Sequence, residues 1–194
     1  MYLKYIFFNI SHLFIKQSLR NDKNTSIFIS QNNLYYLALH LKLSSLFYST
    51  QLIDLFAYDT SISLNSFQIK KKNPATPLLN NAIIVYQFNS VLFYQRFYIF
   101  IINLPKQNFN KNSLSWAPLN SISELFLNAN WLERELAELH GVFFTGKKDL
   151  RNLLLQYGDS SVPMRKSFPS IGTREIFYDS VTDLLIQTPV SVQF

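Results

Sequence analysis

Residues 130–169 read NWLERELAELHGVFFTGKKDLRNLLLQYGDSSVPMRKSFP and hold charges, caps and turn formers more densely than any other part of the chain. Leu132, Leu136 and Leu139 recur at helical spacing, which predicts a helix from Trp131 to His140 with its apolar face inward. Asn130 and Glu133 have capping-box spacing, and Gly141 stands where a left-handed C-cap is wanted. Ser121 and Glu124 repeat the box, so a first short helix is expected there, followed by a break. Arg134 and Glu138, at i and i+4, are spaced to pair, for about 0.2–0.5 kcal/mol. Glu133 and Glu135 have no such partner, and surface helices carry acids like these routinely. Asp149 is placed to cap another short helix, Leu150 to Tyr157, stopped by Gly158. Val162-Pro163 and Phe168-Pro169 then bracket Met164-Arg165-Lys166 as extended chain, because a residue before proline is kept out of the helical region.

Working outward, Arg174 to Tyr178 reads as a strand, and the end LLIQTPVSVQF, cut by Pro189, is too small to fold alone. It is expected to lie along another surface, of its own domain or of a partner. Upstream, Gln31 to Leu46 carries Leu34, Leu37 and Leu41 in helical phase, with Asn33 at the capping position. QLIDLFAY, residues 51–58, reads as a strand whose alternation is imperfect. Ala82 to Phe88 and Val91 to Leu104 read as a hairpin turning at Asn89-Ser90, with Arg96 toward solvent. Thr60 to Leu79, with its Lys70–Lys72 run and two prolines, and Pro105 to Pro118 read as loops. The fold class is therefore α+β: a small mixed or antiparallel sheet of at least three strands covered by helices, then a helical motif and an extended C-terminal tail. The expected division is a domain over residues 1–157 and a tail over 158–194.

The 194 residues are 48% hydrophobic and 16% aromatic, enough to build a core. There is no cysteine, so the chain offers no disulfide, no thiolate zinc site, no sulfur-ligated cluster and no thiol nucleophile. His12, His40 and His140 lack the spacing that puts two imidazoles on one helix face, so no metal site is expected. The longest apolar run, within Val91 to Leu104, is broken by Gln95 and Arg96 and falls short of the roughly 20 residues a spanning helix needs. The N-terminus has no acid before Asp22, as in a presequence, and its aromatic and β-branched content equally suits a first packed element. Through Asn130 eleven bases meet four acids, and from Trp131 onward seven meet eight, so the net charge of +6 lies in the first two thirds. Abundant Phe, Tyr, Asn, Ile and Lys with only four glycines suggests AT-rich coding, as in an organelle genome.

Three patterns in the chain resemble chemical motifs. Gly141 to Lys148 has the G-x-x-x-x-G-K spacing of a phosphate loop, but Lys148 stands where a Ser or Thr hydroxyl holds magnesium, and the segment follows a helix, not a strand. Glu133 and Glu135 diverge by about 200° on a helix and cannot act on one atom, whereas Glu135 and Glu138 can converge, without a nucleophile or metal nearby. Aromatics interleaved with Arg96 in Phe93–Tyr98 suit base stacking, but the glycine-containing signature of an RNA-binding sheet is absent. Basic charge and aromatic strands together leave an organelle RNA-binding or ribosomal protein as the alternative function.

Trp131-Leu-Glu133-Arg134-Glu135, Glu138, Gly141-Val-Phe-Phe144, Asp149-Leu-Arg151, Tyr157-Gly158, Pro163-Met-Arg165-Lys166, Phe168-Pro169, Gly172 and Glu175, in this order and spacing, resemble the thirty-kilodalton subunit family of respiratory complex I. The family comprises the C subunit of the bacterial NADH dehydrogenase and, where mitochondria encode it, subunit 9. The resemblance is specific from about Ser121 to Asp179. It departs at Glu138-Leu-His140-Gly141, where the family usually has Asp-aromatic-aromatic-Gly, at Lys147-Lys148 for His-Pro, at Gln156 and Ser167 for Asp, and at Asp159-Ser-Ser161 for Phe-Glu-Gly.

The resemblance implies membership of the peripheral arm of proton-pumping NADH:ubiquinone oxidoreductase, with no catalytic site, metal or cofactor held by this chain. NADH, FMN, iron–sulfur clusters and quinone would sit in partner subunits, chiefly the quinone-site subunit and its iron–sulfur neighbours. The implied location is the matrix side of the mitochondrial inner membrane, peripheral to it. The motif residues would then hold structure or contacts between subunits, and the tail from about Gly158 would drape over a partner.

Overall fold

The computed structural model describes residues 10–19, 24–45, 47, 49–59, 82–103, 117–159 and 161–190. The loop over Thr60 to Leu79 with its lysine run, nearly all of Pro105 to Pro118, the first nine residues and the last four lie outside them. The described elements are β1 (Phe14–Leu19), β2 (Thr25–Ile29), α1 (Leu34–Leu43), β3 (Thr50–Asp59), β4 (Ala82–Ser90), β5 (Gln95–Asn103), β6 (Leu119–Asn120), α2 (Ala129–His140), β7 (Phe144–Thr145), β8 (Arg174–Asp179) and β9 (Leu184–Pro189). The class is α+β.

The main sheet has five strands in the order β1-β2-β5-β4-β3, where the sequence pattern predicts at least three. Only β2 and β5 run parallel, so the sheet is mixed. Its inner face follows the period of two: Ala82, Ile84, Tyr86, Phe88 and Ser90 on β4, and Phe97, Ile99, Ile101 and Asn103 on β5, are all buried. The blurred alternation of β3 has a physical cause. A bulge between Leu52 and Asp54 sets two residues against one on β4, so Leu52 and Leu55 both face inward despite their odd spacing. Leu34, Leu37, Ala38 and Leu41 of α1 and Ala129 and Leu136 of α2 join the same core. Phe88 stacks on Phe97 and meets Phe126 edge-on at 5.4 Å.

Several expectations are corrected. The hairpin turns at Val91–Tyr94, not Asn89-Ser90, because Asn89 and Ser90 pair with Arg96 and Gln95 and extend the ladder. Asn33 does not cap α1; its amide donates to the Leu13 carbonyl at 3.2 Å. No helix begins at Ser121, whose hydroxyl is engaged by Glu133 instead. Helix α2 starts at Ala129 without a side-chain cap. Residues 150–157 form bends, not a helix, since the amides that would start it donate to a carboxylate. Leu184–Pro189 pairs back on β8 as β9.

Candidate functional site

The charges of α2 organise everything after the sheet. Glu133 is fully buried with the Lys147 side chain, their charged atoms 3.2 Å apart. Such a pair stands only if its remaining polar capacity is met. It is met: the Ile122 amide donates to Glu133 Oε1 at 2.9 Å, the Ser121 hydroxyl to Oε2 at 2.6 Å, and Lys147 Nζ to the Asn130 carbonyl at 2.7 Å. This set ties β6, the start of α2 and the segment after β7 together. The surface reading of Glu133 is therefore overturned. Tyr86, also fully buried on β4, has its phenol raised well above the usual range, by burial first and by Glu133 second.

Arg134 does not lock onto Glu138 as an isolated helix pair. Its Nε donates to the Arg151 carbonyl at 2.9 Å and its Nη2 to the Asn152 carbonyl at 3.1 Å, while Nη1 lies 3.7 Å from Asp149. The guanidinium also sits over the ring of Trp131, itself 59% exposed. Glu138 turns to the same loop, accepting from the successive amides of Leu153, Leu154 and Leu155. Burial pushes its carboxyl up, but those donors together with Arg134 hold it below the usual range. Asp149 accepts from Arg151 through side chain and backbone, and that exposed guanidinium keeps its carboxyl far below normal.

Gly141 closes α2 in the left-handed conformation, φ 69°. A Cβ here would lie 2.8 Å from Arg165 Nη2, so the glycine also makes room for the tail. Arg165 donates to the His140 carbonyl at 3.1 Å and the Gly141 carbonyl at 3.4 Å, placing a cation on the negative end of the helix. The Met164 amide donates to the Leu139 carbonyl, and the Lys166 amide to Asp59 on β3. Half-buried His140 has its imidazole lowered, by burial first, against the opposing pull of the Ala57 backbone and Asp59, with Arg165 adding to the lowering.

The sequence-derived residues thus separate. Glu133, Arg134, Gly141, Asp149, Arg151 and Arg165 converge around α2, where a cavity of about 470 Å³ lies between the helix end, residues 142–152 and the tail. Glu135 is half-buried on another face of α2, and Pro163 and Phe168 are half-buried in the tail. Tyr157, Gly158, Lys166 and Pro169 are exposed. Sequence reasoning missed the role of Lys147, met only as a phosphate-loop lysine and as a departure from the family's His-Pro; no local spacing ties it to a glutamate fourteen positions earlier. With Lys147 turned inward to Glu133 and Phe144 buried, the G-x-x-x-x-G-K stretch presents no cradle for phosphate. Phe97 lies in the core while Tyr94 is exposed in the turn and Tyr98 is half-buried on the other face of β5, so the aromatics of residues 93–98 do not share one face. Among the described residues no group of three His, Cys, Asp or Glu is placed to hold a metal, and no helix is long and apolar enough to cross a membrane.

The charged side chains around α2 are largely engaged by the chain's own backbone, and the fold recurs in a solved structure. A chain of the membrane-bound sulfane sulfur reductase, an archaeal respiratory membrane complex, superposes with a TM-score of 0.64 over 88% of both chains at 14% identity, a likeness of fold alone. The family described as respiratory-chain NADH dehydrogenase, 30 Kd subunit, matches residues 27–174, and the chain belongs to that family. The match begins in β2, far upstream of the motif that carried the resemblance. NADH-ubiquinone oxidoreductase subunit 9 of Acanthamoeba castellanii is 31% identical over 94% of this chain and 79% of its own length. The Neurospora crassa NADH-ubiquinone oxidoreductase 30.4 kDa subunit, mitochondrial, is 43% identical over 76 residues, 39% of this chain and only 27% of that protein. NADH-ubiquinone oxidoreductase subunit 9 of Paramecium primaurelia is 34% identical over 68% of this chain and 56% of its own length.

Proposed function

We propose that the chain is a cofactor-free structural subunit in the peripheral arm of a proton-pumping NADH:ubiquinone oxidoreductase, on the matrix side of the mitochondrial inner membrane. It supports electron transfer by packing against the quinone-site subunit and neighbouring iron–sulfur subunits, which hold NADH, FMN, the clusters and quinone. The observation that carries this reading is the family match over residues 27–174. Two features support the structural role. Without cysteine the chain offers no thiolate to a cluster, and the charges of the family motif are occupied in tethering backbone, as at Glu133, Glu138 and Arg165. The tail supplies the contact surface: Tyr157, Met164, Ile176, Tyr178 and Leu185 are each more than half exposed, a density that marks an interaction surface.

The test is co-migration. After gentle solubilisation of organelle membranes, the chain is expected to run on native gels with NADH dehydrogenase activity, and the Arg165→Ala/Lys166→Ala double variant to lose most of that activity band. Normal assembly and quinone reduction in the double variant would remove the contact role. Retention of the purified chain on RNA, weakening with salt, in place of co-migration would favour an RNA-binding protein.

A further inference from the structure

β8 and β9 form a ribbon that pairs with no other strand among the described residues. Two antiparallel strands by themselves are marginal in water. Yet this ribbon buries none of its residues and exposes Ile176 at 68%, Tyr178 at 58% and Leu185 at 75%. Its apolar face is uncovered by any of the described residues.

The register shows what each edge offers. The Val190 amide donates to the Thr173 carbonyl at 3.3 Å, and these residues lie one step beyond the Arg174–Pro189 pair. Opposed residues in an antiparallel ladder alternate between exchanging hydrogen bonds and not. Thr173–Val190 is a bonded position, so Arg174–Pro189 is not, in keeping with a proline that has no N–H to give. It follows that Glu175–Thr188, Phe177–Ile186 and Asp179–Leu184 are the bonded pairs of the ribbon. The backbone groups of Arg174, Ile176 and Tyr178 therefore point out of the β8 edge, and those of Leu185, Gln187 and Pro189 out of the β9 edge. Proline blunts the β9 edge; the β8 edge keeps its full row of donors and acceptors. Ile176, Tyr178 and Leu185 also share one face, beside that open edge.

We infer that the β8 edge takes a strand from a different subunit, continuing the ribbon into an intermolecular sheet. This rests on the reading of the chain as part of a larger complex. The occupant is an exposed edge strand whose β-branched or aromatic side chains extend the face made by Ile176, Tyr178 and Leu185, with backbone hydrogen bonds setting the register. A second copy of this chain is the poorer fit, because the ribbon carries Glu175, Asp179 and Asp183 against Arg174 alone, and two such acidic ribbons repel one another.

Two matched proline variants test it in the assembled complex. Ile176→Pro and Leu185→Pro each delete one outward N–H and one exposed apolar side chain, and neither removes a bond of the ribbon itself. On native gels, Ile176→Pro is expected to cut the chain co-migrating with NADH dehydrogenase activity about tenfold, and Leu185→Pro to leave it within about twofold. Equal loss or equal retention overturns the edge assignment. Ile176→Ala, which keeps the N–H, should assemble nearly as the unaltered chain does; a loss as large as with proline would make the contact a side-chain one and overturn strand pairing. The purified chain should sediment as a monomer, and a dimer abolished by Ile176→Pro would hand the edge to a second copy and overturn the proposal. If the unaltered chain fails to co-migrate, the reading of it as part of the complex fails first and takes this inference with it.

Discussion

Between Ile10 and Lys147 the chain buries Phe47, Tyr86, Phe88 and Phe97 completely, whereas from Lys148 to Val190 no described residue is buried. Both stretches are rich in large apolar side chains, so composition does not separate them. Topology does. The first stretch has a sheet with helices to close over it; the second has bends and a lone ribbon, with nothing of its own to enclose. Its attachments include hydrogen bonds to α2 and β3: Arg134 and Glu138 hold residues 151–155, Arg165 with the Met164 amide holds the tail to residues 139–141, and the Lys166 amide meets Asp59. A region built on such anchors has little apolar burial of its own and is of low local stability, which leaves its apolar face free for the contact proposed above.

The sharpest way to break this contrast is at Glu133 and Lys147, inside the first region. Lys147→Met leaves a buried carboxylate without its cation and should cost about 3–5 kcal/mol, read as a fall in the urea midpoint of the purified chain. A loss below about 1 kcal/mol would mean that the pair behaves as a surface bridge. Next is the joint between the regions. Gly141→Ala forces a side chain into the left-handed conformation and against Arg165, for about 1–2 kcal/mol, and limited proteolysis should then cut the tail well before the sheet domain unfolds.

Smaller again is Glu138→Gln, about 1 kcal/mol, expressed as faster amide exchange at Leu153 to Leu155. The folded Glu138 carboxyl lies below its unfolded value, so its stabilisation is complete above about pH 4.3 and is lost as pH falls through the lowered folded value. The glutamine variant should show no such acid dependence at those amides. Least affected is Leu185→Ala in the ribbon. An exposed side chain there should change the stability of the purified chain by less than about 0.5 kcal/mol, although the same position lies on the face proposed to meet a partner. A change above about 2 kcal/mol would place Leu185 in a core of this chain's own.

Much of the first region is legible in the sequence because its signals are local. The leucines of residues 34–41 and 132–136 mark helices, Gly141 marks a stop, and the β-branched and aromatic runs of β4 and β5 mark strands. Legibility fails where partners are remote. The capping box at Ser121 has the right letters, but its hydroxyl and the following amide are claimed by Glu133. Asp149 looks like a helix cap and does accept from the Arg151 amide, yet the amides of residues 153–155, which a helix would have turned back on its own carbonyls, go to Glu138. The bulge in β3 hides its phase from any count of alternating residues.

By itself the sequence determined the class of the fold, the position of the α2 stop, the lack of thiolate chemistry and the family motif, since each depends on residue type or on spacings within a few turns of chain. Tertiary structure alone decided that Glu133 is interior and matched by Lys147, that Glu138 and Arg134 hold a loop instead of each other, and that the tail folds into a ribbon with one blunted and one open edge. Those outcomes turn on which polar groups meet across the fold, and a buried charge has no stable place until all of its partners do.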